Sequence, residues 1–265
     1  MTLHRQQMPK YNNAAGRILT VLEKLQPHSG KTCKLPQLGE ALGVDGTWRT
    51  VLVAIQDVND EYSSLCNEIE QFEHNPAKYE LYKKNLPDIG KSIHSFSLNM
   101  PAKSCVCQIS QPGVVALRFI AADLTQDAAP EDDEIESLRS LVSELQAEIE
   151  GSDVFSKSVR EWLLDLVRVI RDSIDRFAIR GSRGMRKQFS LLLGELIQNY
   201  DVAQKVQEKK PSVWQRFTSA IDMMNKLASL AEHCRPAVTF AQKSLPLLRT
   251  LGLPAPDDFP MDDQS

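Results

Sequence analysis

Residues 48–72 read WRTVLVAIQDVNDEYSSLCNEIEQF, and this stretch decides the fold class. Its apolar side chains return every three or four residues for about seven turns of a helix with 3.6 residues per turn. The stripe consists of Trp48, Val51, Leu52, Ile55, Val58, Tyr62, Leu65, Ile69 and Phe72. Thr47 lies directly before it and has a side chain suited to capping a helix N-terminus. The pattern predicts a long amphipathic helix that buries one face.

The residues before this stretch predict two shorter helices. Residues 1–13 are polar and are expected to form a flexible start. Helical periodicity begins at Ala14 and ends before Pro27, and a second short helix is expected from Pro36 to Leu42. Glycines at positions 43 and 46 predict a turn between this helix and the long one.

Residues 74–112 are the least regular part of the chain. A short helix is expected over 77–85, and Pro87 and Gly90 are interpreted as breaks. Residues 104–109 are compatible with one short β segment. Residues 113–124 return to a helix, whose wide apolar face predicts burial at the centre of the fold.

The second half reads as a series of amphipathic helices with short connections, which is typical of a helical bundle. We therefore predict an all-α fold, a multi-helix bundle with at most one short β segment near 104–109. The expected organisation is an N-terminal helical region over 14–125 and a C-terminal helical bundle over 126–253. The Pro- and Asp-rich residues 254–265 are expected to be a disordered tail.

Charge and cysteine content limit the classes of function. The net charge of −4 gives no general attraction to nucleic acid or to anionic lipid, so any such binding needs a local patch. Five cysteines with irregular spacing favour reduced thiols over a disulfide framework. The polar N-terminus lacks a signal-peptide pattern, and the sequence lacks a long uncharged apolar stretch. We expect a cytoplasmic protein.

Residues 35–60 resemble a helix-turn-helix, in which a small residue at position 39 lets two helices approach around a turn glycine at position 43. The alternative is a plain helical corner. Two features favour that alternative: Arg49 occupies a position where the motif expects an apolar side chain, and the acidic residues Asp45, Asp57, Asp60 and Glu61 would repel phosphates.

A basic loop at 180–187 is a candidate anion site. Free backbone N–H groups at a helix start can hold a phosphate or a carboxylate together with basic side chains. The candidate residues are Arg180, Ser182, Arg183, Arg186 and Lys187. The alternative interpretation is a helix C-terminus followed by an N-cap and solvated arginines.

No catalytic, cofactor or metal motif is found in the sequence. Cys105 and Cys107 could share one face of a strand, but no second cysteine pair or suitably spaced histidine accompanies them as zinc ligands. We therefore expect no enzyme activity, no cofactor and no metal.

The helix after Pro211 carries an apolar face and a mildly basic polar face, and its candidate interaction residues are Trp214, Phe217, Ile221 and Met224. Such a face can pack on its own core, on a partner or on a membrane surface.

Residues from about 131 to 200 resemble a helical region common in uncharacterised bacterial proteins. The resemblance rests on an acidic helix start, LRSLVSEL at 138–145, GSD at 151–153, DRFAIRG at 175–181 and LLGEL at 192–196. It implies a bacterial cytosolic protein and transfers no functional residue, because the group has no established activity.

Three functional hypotheses follow. The leading one is a non-enzymatic interaction or regulatory module that binds a protein partner or itself through helix faces. The second is a DNA-binding regulator that uses residues 35–60. The third is a membrane-acting effector that uses the amphipathic helices of 211–253.

Overall fold

The computed structural model describes residues 11–99, 102–131 and 133–230, together with residues 250 and 252. As predicted, the fold is an all-α multi-helix arrangement with one small sheet. Its helices are α1 (Ala14–Leu25), α2 (Leu35–Leu42), α3 (Trp48–Ile69), α4 (Pro76–His94), α5 (Gln111–Asp123), α6 (Glu134–Glu150), α7 (Lys157–Asp175), α8 (Phe177–Gln198), α9 (Tyr200–Lys209) and α10 (Pro211–Ser229). Its strands are β1 (Thr32–Lys34), β2 (Ser97–Asn99) and β3 (Ser104–Val106). Short 3₁₀ helices follow α1 and α3, at Gln26–His28 and Glu70–His74.

The chain divides into two compact units. Unit 1 comprises Met1–Asp127 and Asp175–Gly181, and unit 2 comprises Ala128–Ile174 and Ser182–Ser265. The sequence analysis placed a single boundary between 125 and 126. It did not anticipate that a short segment from the middle of the second half belongs to unit 1. That segment ends at Gly181, where the backbone of α8 leaves the helical conformation.

Helix α1 lies at the centre of unit 1, where it packs on α2, α3 and α5. Its N-cap is Asn13, whose side chain accepts a hydrogen bond from the Gly16 N–H and donates to the carbonyl of Ala121 at 2.8 Å. The side chain of Asn12 donates to the carbonyl of Asp127. Residues 12 and 13 are therefore bound to the fold, and residues 1–10 of the expected flexible start lie outside the described part.

The sheet of unit 1 has the order β1-β3-β2, and both pairings are antiparallel. The short β segment expected near 104–109 is present as β3. Two partner strands that the sequence did not reveal flank it. Each strand has three residues, which is too short to show an alternating pattern.

Helix α4 continues through Pro87 and Gly90, where the sequence analysis expected breaks. Continuing the helix buries Ile89 and Ile93 in the core, which outweighs the hydrogen bond that a proline removes. A Cβ atom at Gly90 would lie 2.7 Å from the Tyr62 hydroxyl oxygen, so glycine allows α3 and α4 to approach there. Pro87 and Gly90 therefore do not end α4, and Gly90 lies where α4 contacts α3.

Helix α5 is less buried than its apolar sequence predicts. Val114, Leu117 and Ile120 enter the core, whereas Val115 is 46% exposed and Phe119 is 66% exposed. The two exposed side chains are one helical turn apart and share a face. Helix α5 is therefore a surface helix with an apolar strip on its outer side.

In unit 2, α10 packs against α6 and α9. Lys226 pairs with Glu134, and Arg216 pairs with Glu144 at 2.8 Å and with Glu148 at 3.3 Å. These contacts run in opposite directions along the two helices, so α6 and α10 are antiparallel. The acidic side of α6 and the basic side of α10 therefore complement each other within the unit.

Candidate functional site

Residues 35–69 form a helical corner in unit 1, made of α2, a tight turn and α3. The turn begins at Gly43, which adopts a left-handed conformation (φ 71°, ψ 24°) that glycine favours. A Cβ atom at Gly39 would lie 2.7 Å from the Cα of Gly46, and one at Gly46 would lie 2.5 Å from the Cα of Pro36. The glycines at 39 and 46 thus bring the turn into direct contact with α2.

The start of α3 is fixed by side-chain capping. Thr47 is the N-cap, as predicted, and its hydroxyl accepts a hydrogen bond from the Thr50 N–H. The Asp45 carboxylate accepts from the Thr47 N–H and from the Thr50 hydroxyl. The Thr50 hydrogen bond outweighs the opposing effect of burial and lowers the pKa of the Asp45 carboxyl. The charge of Asp45 is therefore used to close the turn.

The outward face of the first three turns of α3 is open to solvent. Arg49, Leu52, Val53 and Gln56 are exposed, while Val51 and Ala54 are buried. The motif expects an apolar side chain at position 49, which is an arginine here. The buried Val51 makes the apolar contact with the core instead. The exposed set combines a cation, an amide and two apolar side chains.

Basic residues of the sheet lie beside this corner. Lys34 directly precedes α2, and its strand partner is Ser104. The neighbouring Lys103 accepts a hydrogen bond from the Leu35 N–H through its carbonyl, at 3.2 Å. Leu35 and Pro36, which follow Lys34, lie against Gly46, which precedes the start of α3. The backbones of Lys34, Lys103 and the start of α3 are therefore close together. Both lysine side chains are exposed, and so is that of Lys31.

Two acidic residues of α3, Asp57 and Glu61, are buried, and the half-exposed Asp60 is paired with an arginine, which weakens an objection raised by the sequence. Asp57 and Glu61 are 1% and 5% exposed. Arg180 binds Asp57 at 2.7 Å and Asp60 at 2.7 Å, and Arg176 binds Asp57 at 3.4 Å. Desolvation by burial raises the pKa of the Asp57 carboxyl, and the two arginines oppose that rise. These carboxylates are neutralised by arginines of unit 1 and do not form an acidic surface.

Arg17 of α1 completes this arginine–carboxylate cluster. Its guanidinium is 1% exposed and binds Glu61 at 2.8 Å and Asp127 at 3.3 Å. Desolvation would lower its pKa, but Glu61 and Asp127 outweigh that effect and raise it. The guanidinium also lies against the backbone of Gly181, where a Cβ atom would be 2.6 Å from Nη1. The cluster thus holds α1, α3 and both segments that end unit 1, at 127 and at 181.

Two residues of the predicted anion site, Arg180 and Arg186, have protein partners, whereas the buried hydroxyl of Ser182 has no hydrogen-bond partner among the described residues. Arg180 binds the carboxylates of Asp57 and Asp60, and the guanidinium of Arg186 donates to the carbonyl of Ala228 in unit 2. Ser182 is fully buried, and Lys187 is exposed. The predicted loop is a helix interrupted at Gly181. Arg180 is therefore engaged within unit 1 and Arg186 within unit 2, and an anion site at 180–187 stays a prediction.

The predicted interaction residues of α10 lie in the core of unit 2. Trp214 is 4% exposed, and Phe217, Ile221 and Met224 are fully buried. The basic side of α10 pairs with α6 through Arg216 and Lys226. The structure therefore corrects the expectation of an interaction surface at these four residues, because the unit's own core covers them.

The membrane hypothesis for 211–253 remains a prediction, because residues 231–249, 251 and 253 lie outside the described part. Among the helices that the structure describes, none has the length and apolar character needed to cross a membrane. Within the same residues, histidine, cysteine and carboxylate side chains do not form a group of three or more that could hold a metal ion.

Sequence reasoning missed the sheet lysines and the arginine–carboxylate cluster. The position of the sheet lysines depends on pairing between strands about seventy residues apart. The arginine–carboxylate cluster joins residues up to 120 positions apart. The spacing of Gly39, Gly43 and Gly46 was the one available signal for the corner. Comparisons of this chain with family models, with curated proteins and with solved structures give no match.

Proposed function

We propose that unit 1 binds duplex DNA and that the protein acts as a cytoplasmic DNA-binding regulator. One observation carries the proposal: the helix-turn-helix corner is surrounded by exposed basic side chains, while the carboxylates of α3 nearest to it are paired with arginines. The basic side chains are those of Lys31, Lys34, Arg49 and Lys103. The exposed acidic residues of the same corner are Glu40 and Asp45, and Asp45 is bound by the turn.

The exposed face of α3 has the chemistry that reads base edges. A major groove admits one α-helix, in which arginine pairs with guanine and glutamine with adenine. Arg49 and Gln56 supply these groups, and Leu52 and Val53 can contact thymine methyl groups. Lys34 and Lys103 would contact phosphates and fix the register of the helix in the groove.

The net charge of the chain is compatible with weak and salt-sensitive binding. Unit 1 contains 15 lysines and arginines against 14 acidic residues, whereas unit 2 contains 16 against 21. The acidic charge of the protein therefore belongs to unit 2. Attraction to DNA arises from the local patch of unit 1, and added salt should weaken it steeply.

The proposal is tested by fluorescence anisotropy of a labelled duplex of mixed sequence, titrated with the full-length protein at several salt concentrations. Three or four phosphate contacts predict a slope of log affinity against log salt of about −3 to −4. Charge reversal by Arg49→Glu or Lys103→Glu should weaken binding at low salt, and Lys103→Glu, at a proposed phosphate contact, should reduce the magnitude of the slope by about one.

Lys84→Glu is the matched control, because Lys84 is an exposed lysine on α4 and the substitution changes the net charge equally. It should leave the affinity close to that of the wild type. Absence of binding at low salt would refute the proposal. Equal weakening by Lys84→Glu would show that only net charge matters and would refute the assigned surface.

A second candidate function is self-association through a helix face. It places the predicted protein–protein interaction on α5 instead of α10. Its support is the outer strip of α5, where Phe119 and Val115 are exposed one turn apart. Apolar side chains at this spacing suit helix-to-helix docking. The proposed occupant is the same strip of a second copy of the chain.

Sedimentation velocity over a range of protein concentrations tests this second candidate. Self-association that is lost in Phe119→Asp and kept in Arg118→Asp, its neighbour on the same helix, would support it. A monomer at every concentration, or an oligomer that Phe119→Asp leaves intact, would contradict it.

A further inference from the structure

Three cysteines of the sheet region of unit 1 are buried together. Cys33 of β1 is the direct strand partner of Cys105 of β3, and Cys107 follows two residues along the chain. Each is 1% exposed, and all three are free thiols. Directly opposed residues on antiparallel strands project to the same face of a sheet. The register therefore brings two thiols together that are far apart in the sequence.

The Cα separation of the Cys33–Cys105 pair lies within the range that a disulfide spans. The Leu35 N–H donates to the Lys103 carbonyl, so Lys34 and Ser104 form a non-hydrogen-bonded pair. The alternation of an antiparallel ladder makes Cys33 and Cys105 the next hydrogen-bonded pair, with a Cα separation of about 5.5 Å. Disulfides span Cα separations of about 4.4–6.8 Å.

The other two pairings fit less well. Cys105 and Cys107 are two residues apart along extended chain, which separates their Cα atoms by about 6.7 Å, at the far end of the range. Cys33 and Cys107 are diagonal neighbours at about 7–8 Å. Of the three pairings, the one between Cys33 and Cys105 is in the middle of the range that a disulfide requires.

We propose that Cys33 and Cys105 form a reversible redox pair, oxidised by hydrogen peroxide to a disulfide that links β1 to β3. One thiolate attacks a peroxide oxygen, which breaks the O–O bond and yields a sulfenic acid and, after proton uptake, water. The second thiolate attacks the sulfenic sulfur, which forms the S–S bond and releases the oxygen as a second water. Two thiols lose two electrons and two protons, and the peroxide is reduced.

Burial makes this reaction slow at neutral pH. Desolvation raises the pKa of the Cys33 thiol, and desolvation together with the neighbouring Cys107 and Cys33 raises the pKa of Cys105 to about 12. The thiolate fraction, and with it the rate, should rise about tenfold for each pH unit while the pH stays below these values. Entry of the oxidant requires local opening of strands that are only three residues long.

Peptide mapping of the full-length protein tests the proposal. The protein is treated with excess hydrogen peroxide, the peroxide is removed, the remaining thiols are blocked with N-ethylmaleimide in denaturant, and the protein is digested with trypsin without reduction. The expected product joins the tryptic peptide TCK at 32–34 to SCVCQISQPGVVALR at 104–118. Fragmentation should place the bond on Cys105, and dithiothreitol should release both peptides.

Two variants sharpen the result. Cys33→Ser should abolish the linked peptide, whereas Cys66→Ser, which removes the half-buried thiol of α3, should leave it unchanged. The proposal fails if the wild-type protein forms a loop disulfide between Cys105 and Cys107 within one peptide. It also fails if Cys33 is found carrying N-ethylmaleimide after the peroxide treatment, because its thiol was then still free. The wild-type map decides the matter even if Cys33→Ser does not fold, and neither outcome depends on DNA binding.

Discussion

Replacing Gly181 with alanine should destabilise unit 1 because two separate effects meet at this residue. Its backbone has φ 56° and ψ −160°, close to a region that essentially only glycine occupies. Its Cα also faces the guanidinium of Arg17, with a virtual Cβ 2.6 Å from Nη1 and 2.9 Å from Cζ. An alanine there must either shift the backbone or displace the guanidinium.

The size of the effect follows from these two contributions. A side chain in this backbone region costs about 1–3 kcal/mol. Moving the guanidinium strains its bonds to Glu61 and Asp127, and a hydrogen bond to a charged group contributes about 1.5–3 kcal/mol. The lower conformational entropy of an unfolded alanine chain offsets about 0.4–1 kcal/mol. We expect Gly181→Ala to lower the free energy of unfolding by about 2–5 kcal/mol.

Gly194→Ala is the matched control within the same helix. A Cβ atom at Gly194 meets nothing within 4 Å, and alanine is favoured over glycine inside a helix by about 1 kcal/mol. Urea denaturation followed by far-UV circular dichroism should therefore shift to lower urea for Gly181→Ala and to equal or higher urea for Gly194→Ala. A Gly181→Ala midpoint equal to that of the wild type would refute the reasoning.

Three further predictions concern single side chains. Arg17→Met leaves Glu61 and Asp127 buried without their cation, so it should lower the free energy of unfolding in urea by about 3–5 kcal/mol. The control is Arg118→Met, whose ion pair with Glu23 is exposed and which should cost about 0–1 kcal/mol. Equal effects of the two substitutions would contradict the burial argument. Burial and the hydrogen bond to Asp123 raise the pKa of the Tyr82 hydroxyl to about 12, so the folded state keeps a proton that the unfolded state loses from about pH 10 upward. The free energy of unfolding should fall by about 2 kcal/mol over that window and by much less in Tyr82→Phe, and a fall of the same size in the variant would exclude this cause. Trp214→Ala should cost about 3–5 kcal/mol through the core of unit 2, and an unchanged melting curve would show that Trp214 does not support the core.

Local sequence signals predicted the parts of the fold that local forces determine. The stripe of α3, its Thr47 cap and the glycine turn after α2 are all present where the periodicity and the cap residues placed them. The signal failed where a distant contact decides the outcome. Helix α4 passes through Pro87 because its isoleucines are buried, and β1 and β2 exist because β3 pairs with them.

The apolar stripes also gave no means of telling a binding surface from a core. Trp214 and Phe217 of α10 looked like partner anchors because basic residues accompany them, yet α6 supplies Glu134, Glu144 and Glu148 for those cations. Phe119 looked like a core residue and is exposed. Helical periodicity shows which residues share a face, but the neighbours of that face depend on the tertiary fold.

The charges around the corner of α2 and α3 also could not be assigned from the sequence alone, and their placement bears on function. In the sequence, Asp57, Asp60 and Glu61 lie within the candidate recognition helix and argue against phosphate binding. In the structure, three arginines bind these carboxylates: Arg17 precedes them by about forty positions, and Arg176 and Arg180 follow them by more than a hundred. Counting charges near a motif assumes that they face the same solvent. Here these three carboxylates are paired within unit 1, so the potential of the exposed corner depends on Arg49, Lys34 and Lys103 against Glu40 and Asp45.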